Sequence, residues 1–174
     1  MRFYQALGLE PKLNLDSADL QARFYRASRE WHPDRFSLAS PEEQQKALDM
    51  TAMINDAFRT LREPVSRAEY FLSEHKIKAT QNVPPELLEE VFELNMALDE
   101  LREGNQSTRP SLEKAHEKFV RMLAEIDHGL SALSIQYDGG RHDESLLLAV
   151  RSVLDRRRYV ANLLRDVDKA LPNN

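Results

Sequence analysis

The residues best placed to do chemistry are His32, Pro33 and Asp34, consecutive within Glu30-Trp31-His32-Pro33-Asp34-Arg35-Phe36. A histidine and an aspartate can act as acid and base, but neighbours in one turn rarely aim at each other, and no nucleophile stands nearby. The other four histidines, His75, His116, His128 and His142, have no paired metal-ligand spacing. The chain has 0 cysteines, which excludes disulfides, thiolate zinc sites and a cysteine nucleophile and fits a reducing cytoplasm. No phosphate-loop motif occurs, so no catalytic residue, metal or cofactor is expected. Recognition is the chemistry left. Pro33 fixes its own φ and pushes His32 out of the α region, so an incoming helix must end there. The outcome is a rigid, exposed, polar tip, although the bare tripeptide is equally a way to stop a helix.

Two helices must position that tip. Leu20, Phe24, Ala27 and Trp31 are spaced 4-3-4 and predict a helix over about 17–31, with Asp16 or Ser17 as cap and Asp19 in the first turn. Arg23, Arg26 and Arg29 make a basic stripe on it. Ala47, Thr51, Ile54, Phe58 and Leu61 repeat the rhythm over about 41–62, behind the start signal Ser40-Pro41-Glu42-Glu43. The two faces can pack as an antiparallel pair with the tip projecting from one end. Residues 1–9 read as a short helix or turn closed by Gly8, and 65–75 as a compact helix after Pro64, with Ala68, Phe71 and Leu72 on one side.

With those residues in place, residues 1–76 resemble the J domain, whose hallmark is His-Pro-Asp between two antiparallel helices. Phe3-Tyr4-Gln5-Ala6-Leu7-Gly8-Leu9 resembles that domain's first helix. The resemblance implies that His32, Pro33 and Asp34, supported by Arg26, Arg29 and Arg35, dock on a chaperone of the DnaK type and stimulate its ATPase.

The 174 residues suffice for one domain or two small ones, and 41% hydrophobic with 30% charged residues suits a helical, soluble chain. Only 5 glycines and few β-branched runs argue against a sheet. No apolar stretch is long enough to span a membrane, and Met1-Arg2-Phe3-Tyr4 lacks the plan of a secretory signal. The net charge of −5 argues against general nucleic-acid binding. Residues 77–84 have little periodicity, end in Pro84-Pro85, and read as a linker. Beyond it, three helical patterns run over about 85–103, 110–136 and 143–171, joined by short turns at 105–110 and 137–142. The first carries Leu87, Val91, Leu94, Leu98 and Leu101 at 4-3-4-3, and Asp143 can cap the last. The expected fold is all-α: the J domain at 1–76, then an antiparallel three-helix bundle at 85–174.

The helix at 85–103 is acidic, with seven Asp and Glu against Arg102 alone, and it has more apolar surface than one core needs. Leu88, Phe92 and Met96 form a second stripe bordered by Glu89, Glu93 and Glu100. Such a stripe either packs against the third helix or docks a partner.

The run Ile54-Asn55, Phe58, Leu61, Pro64 and Arg67-Ala68-Glu69-Tyr70-Phe71-Leu72 closely resembles the HscB family, the J-type co-chaperones of iron-sulfur cluster assembly. The acidic helix and helical tail extend the resemblance over nearly the whole chain. It implies that the helix at 85–103 binds the scaffold protein IscU, and that the chaperone is HscA. Leu88, Phe92, Glu93 and Glu100 match the family's scaffold-binding positions, and Tyr159 matches its contributing aromatic. Glu89 stands where a Met is usual and Met96 where an acid is usual. Eukaryotic relatives carry a cysteine-rich zinc module before the J domain. Its absence leads to the expectation of a bacterial, cytoplasmic protein that binds neither nucleic acid nor membrane.

Overall fold

A computed structural model describes residues 1–80, 82–140 and 142–171. Gln81 in the expected linker, Arg141 in the expected second turn, and Pro172, Asn173 and Asn174 at the end of the expected bundle lie outside the described residues. The helices are α1 Arg2–Ala6, α2 Ser17–Glu30, α3 Pro41–Arg62, α4 Pro64–Glu74, α5 Leu88–Arg102, α6 Arg109–Asp138 and α7 Glu144–Ala170, with no strand among the described residues. By compactness the chain forms two units: residues 1–78 with 134–147, and 79–133 with 148–174. This grouping follows space rather than chain order.

In the first unit the helix boundaries come from local chemistry. The Asp16 carboxylate accepts from the Asp19 N–H at 2.7 Å and caps α2. Ser40 and Glu43 form a reciprocal capping box ahead of α3, with Pro41 at the first helical position. Leu20, Ala47, Ile54, Ala57 and Leu61 are buried between α3 and the helices packed on it, and Phe24 stacks on Phe58 at 4.2 Å. Helix α4 buries Ala68, Phe71 and Leu72, and α1 buries Tyr4, whose hydroxyl donates to Lys12 O at 2.7 Å. Gly8 takes φ +62°, which lets the chain reverse after α1 without a Cβ penalty.

The loop that follows is held from several sides. The buried Arg67 guanidinium donates to Leu13 O at 2.7 Å and to Leu61 O at 2.8 Å. Asp138 accepts the N–H groups of Leu13 and Asn14 at 3.1 and 2.6 Å. Burial pushes the Tyr4 phenol well above its usual pKa, and burial likewise works against the charge of Arg67, with Tyr4, Asp138 and Glu63 opposing that effect. Phe71 meets Tyr137 edge to face at 5.6 Å, so residues of the 134–147 segment complete this unit's packing.

In the second unit Leu87, Leu94, Leu98, Leu112, Phe119, Ile126, Val160, Leu163 and Val167 form one buried cluster drawn from the three helical patterns. Helix α5 starts three residues later than its periodicity predicts. The pair Pro84-Pro85 offers no N–H groups, and a 3₁₀ turn at Pro85–Leu87 leads into the helix. The segment before it is fastened to α7. Thr80 donates through N–H and Oγ1 to Asp155 Oδ2 at 3.1 and 3.0 Å, and Arg158 donates to Thr80 O. Asp155 is buried and pairs with Arg151 at 3.0 Å. On α7, Arg157 Nε lies 2.5 Å from Asp127 Oδ1, and that bond raises the pKa of the guanidinium.

Candidate partner-binding surfaces

The tip is built by the end of α2 and the start of α3. Trp31 closes α2 with its N–H donating to Ala27 O, and Pro33–Phe36 form one 3₁₀ turn. His32 sits in extended backbone just before it, as a residue preceding proline must. Its Nδ1 accepts the Asp34 N–H at 3.3 Å, so the neutral ring carries its proton on Nε2, and Asp34 Oδ2 lies 3.6 Å from Nδ1. Arg35 Nη1 donates to Arg29 O at 3.3 Å, which folds the turn back on the last residues of α2.

Beneath this polar surface the support is apolar and rigid. Trp31 stacks on Phe36 at 5.9 Å and 8°, Lys46 lies over the Trp31 ring at 5.7 Å, and Thr51 Oγ1 donates to Trp31 O at 2.9 Å. Gln44 donates to Ser37 O and Ala39 O, fastening the chain that leaves the turn. His32, Pro33, Asp34 and Arg35 are therefore brought together, with His32, Asp34 and Arg35 exposed and Pro33 half-buried. Arg26 and Arg29 are exposed on α2; Arg29 donates to Tyr25 O, and Arg26 has no hydrogen-bond or ion-pair partner among the described residues. Arg23 is set apart, since it pairs with Asp19 at 2.8 Å and donates to Gly8 O. Leu38, fully exposed in the turn after the tip, was not singled out by any periodicity.

The second surface lies on α5, whose buried positions are Leu94 and Leu98, following Leu87 in the turn before it. Its other stripe is open: Leu88, Phe92 and Met96 are 56%, 64% and 51% exposed. These three side chains are not covered by the third helix, which was the alternative left open by their spacing. Glu93 is exposed beside them with no hydrogen-bond or ion-pair partner among the described residues, while Glu100 Oε2 accepts from Thr108 Oγ1 at 2.5 Å. Tyr159 is half-buried on α7 and packs against the bundle core, so only part of its ring remains accessible.

Sequence reasoning missed the ground next to Met96. A groove of about 470 Å³ runs between α5 and α6, with Glu93, Met96 and Glu100 on one wall and Lys114 and Lys118 on the other. The i, i+4 pair Lys114 and Lys118 beside the Leu112, Ala115, Phe119 seam was the available signal. Among the described residues no group of three or more His, Cys, Asp or Glu could hold a metal ion, and no helix is long and apolar enough to cross a membrane.

Comparison with known proteins follows the same division. The DnaJ domain matches residues 2–70. The co-chaperone protein HscB homologue of Vibrio vulnificus strain YJ016 is 35% identical over 111 residues, which cover 62% of this chain and 65% of that protein's length. The homologue from Shewanella loihica is 26% identical over 174 residues, covering 98% of this chain and 97% of the relative. Among solved structures, chaperone HscB from Vibrio cholerae aligns with a TM-score of 0.67 at 28% identity, over 97% of this chain and 96% of that one. Human co-chaperone HscB aligns with a TM-score of 0.70 over 98% and 83% of the two chains; at 22% identity it speaks for the fold. With an N-terminal J domain, a C-terminal antiparallel three-helix bundle and these relatives, the chain belongs to the HscB family of co-chaperones.

Proposed function

We propose that this chain is a co-chaperone of iron-sulfur cluster assembly that binds the scaffold protein IscU, delivers it to the DnaK-type chaperone HscA and stimulates that chaperone's ATPase. It acts in the bacterial cytoplasm as a regulator rather than as an enzyme. Functionally, residues 1–76 face the chaperone, 77–84 link, and 85–174 hold the scaffold.

The observation that carries this reading is the exposure of Leu88, Phe92 and Met96 at i, i+4, i+8 on a helix whose opposite side fills the bundle core. Three large apolar side chains left in water are costly unless a partner covers them. Leu88 and Phe92 supply the hydrophobic anchor, and Glu93 and Glu100 favour a partner with a basic surface. Tyr159 contributes its accessible edge. At the other site His32, Pro33 and Asp34 form the signalling tip, and Arg26, Arg29 and Arg35 steer it onto an acidic surface of the chaperone.

The test is steady-state ATP hydrolysis by the cognate chaperone, with this protein and IscU added singly and together. Stimulation greater for the pair than for the sum of the two supports one chain coupling both surfaces. Stimulation by this protein with no response to IscU assigns the bundle to another client. No stimulation of an active chaperone returns the tip to a helix stop.

A further inference from the structure

The α5 face continues into a groove whose floor and α6 wall the proposed scaffold contact does not use. The groove between α5 and α6 has an apolar floor of Leu94, Ala97, Ala115 and Phe119, roofed on one side by the half-exposed Met96. Its α5 wall is acidic through Glu93 and Glu100, and its α6 wall is basic through Lys114 and Lys118. These charges are not equivalent. Lys118 is occupied, 3.3 Å from Glu90, and Glu100 accepts from Thr108. Glu93 and Lys114 face the groove from opposite walls, and among the described residues neither has a hydrogen-bond or ion-pair partner. A cleft with an apolar floor and, among the described residues, one unpartnered charge of each sign on its walls matches a polypeptide segment of opposite polarity better than a small apolar ligand.

We infer that the groove is the second half of the scaffold-docking surface: the partner that covers Phe92 also seats one apolar side chain between α5 and α6, with a cationic residue on the Glu93 flank and a carboxylate on the Lys114 flank. The inference rests on the scaffold reading above and extends it to α6. Continuity favours it, because Met96, Glu93 and Glu100 border the exposed stripe and line the groove together. Met96, unbranched and adaptable, can swing aside to admit the incoming side chain. The contact would also set orientation. The Leu88 and Phe92 stripe alone is apolar and directionless, whereas opposed charges on the groove walls accept a segment in one direction and reject its reverse.

The experiment measures IscU affinity by calorimetry for the full chain and four variants. Ala115→Trp fills the groove floor, Lys114→Glu reverses its basic wall, Phe92→Ala removes the anchor, and Lys169→Glu makes the same charge change on α7. Circular dichroism and thermal melts check that each folds; should Ala115→Trp misfold, the exposed Lys114→Glu carries the test alone. The expected result is roughly tenfold or greater weakening by Ala115→Trp and about fivefold by Lys114→Glu, with Lys169→Glu within about twofold of the native chain. Weakening by Phe92→Ala with native affinity for Ala115→Trp and Lys114→Glu overturns the groove and leaves the α5 face standing. Equal weakening by Lys114→Glu and Lys169→Glu reduces the effect to net charge and also overturns it. Native affinity for all four, Phe92→Ala included, removes the scaffold reading itself.

Discussion

The tip at His32–Asp34 and the open stripe of α5 carry recognition in opposite ways. The tip is a few polar groups on one 3₁₀ turn, and the stacked pair Trp31 and Phe36 beneath it is spent on holding the turn still. The α5 stripe is area: three large side chains on the back of a helix whose front builds the core. Binding through area gains affinity from water release, whereas a small polar tip contributes little area and much geometry. The two surfaces should therefore fail differently when altered.

The largest effect falls at the tip. His32→Gln keeps a hydrogen-bonding side chain but loses the imidazole that orders the Asp34 N–H, and stimulation of the chaperone ATPase is expected to drop to background. Because His32 is exposed and supports no core contact, the melting temperature and IscU affinity should stay at native values. A variant that still stimulates in a steady-state ATPase assay breaks the comparison at its first term.

The second test uses two neighbours on α5. Leu94 is 3% exposed and belongs to the bundle core. Leu94→Ala should cost about 2–5 kcal/mol of unfolding free energy in urea titrations. Phe92→Ala removes a side chain that faces water, and should change stability by less than about 0.5 kcal/mol while weakening IscU at least about tenfold. The pair sharpens the comparison, since positions two residues apart exchange a stability phenotype for a binding one. Equal losses of stability would mean that Phe92 is core.

These positions also mark how far the sequence could be read. The seam of Leu87, Leu94 and Leu98 was legible because a helix repeats locally, and the Asp16 and Ser40 caps because caps act within three residues. The stripe at Leu88, Phe92 and Met96 was legible as a stripe, but spacing cannot say whether a neighbouring helix covers it. Partners far apart in the chain left no signal at all. Asp138 meets the N–H groups of Leu13 and Asn14 across more than a hundred residues, and Thr80 is fastened to Asp155 in what reads as a plain linker. The α5–α6 groove is of this kind, for it exists only once Met96 and Lys114 stand on facing helices.

A smaller loss is expected at Arg67, which was legible as part of a family run but not as a buried clamp. Arg67→Ala strips donors from Leu13 O and Leu61 O inside the first unit, at a cost of about 2–3 kcal/mol. Its signature is local. Amide exchange should accelerate in residues 10–16 while α5 keeps its protection, and uniform acceleration would contradict a clamp confined to this loop.

The smallest effect separates two jobs of one hydroxyl. Ser40 Oγ accepts the Glu43 N–H and donates to the Glu43 carboxylate, while Ser40 N–H also donates to that carboxylate. The backbone bond first, and the hydroxyl bond second, hold Glu43 below the usual carboxylate pKa. A carboxylate depressed in the folded state adds stability that is present above its unfolded pKa and is lost as pH falls through the folded value. Ser40→Ala should cost about 1 kcal/mol at neutral pH, as cap deletions do. It should also raise the Glu43 pKa only part of the way to normal, because the backbone donor remains. On acidification the gap between the variant's and the native melting temperatures should narrow without closing: protonated Glu43 no longer rewards the hydroxyl donor, yet the Glu43 N–H still lacks its acceptor. A gap independent of pH would assign the hydroxyl to backbone capping alone. A gap that vanished in acid would assign it to the carboxylate alone, and the turn leaving the tip would then owe its stability at neutral pH to charge rather than to a cap.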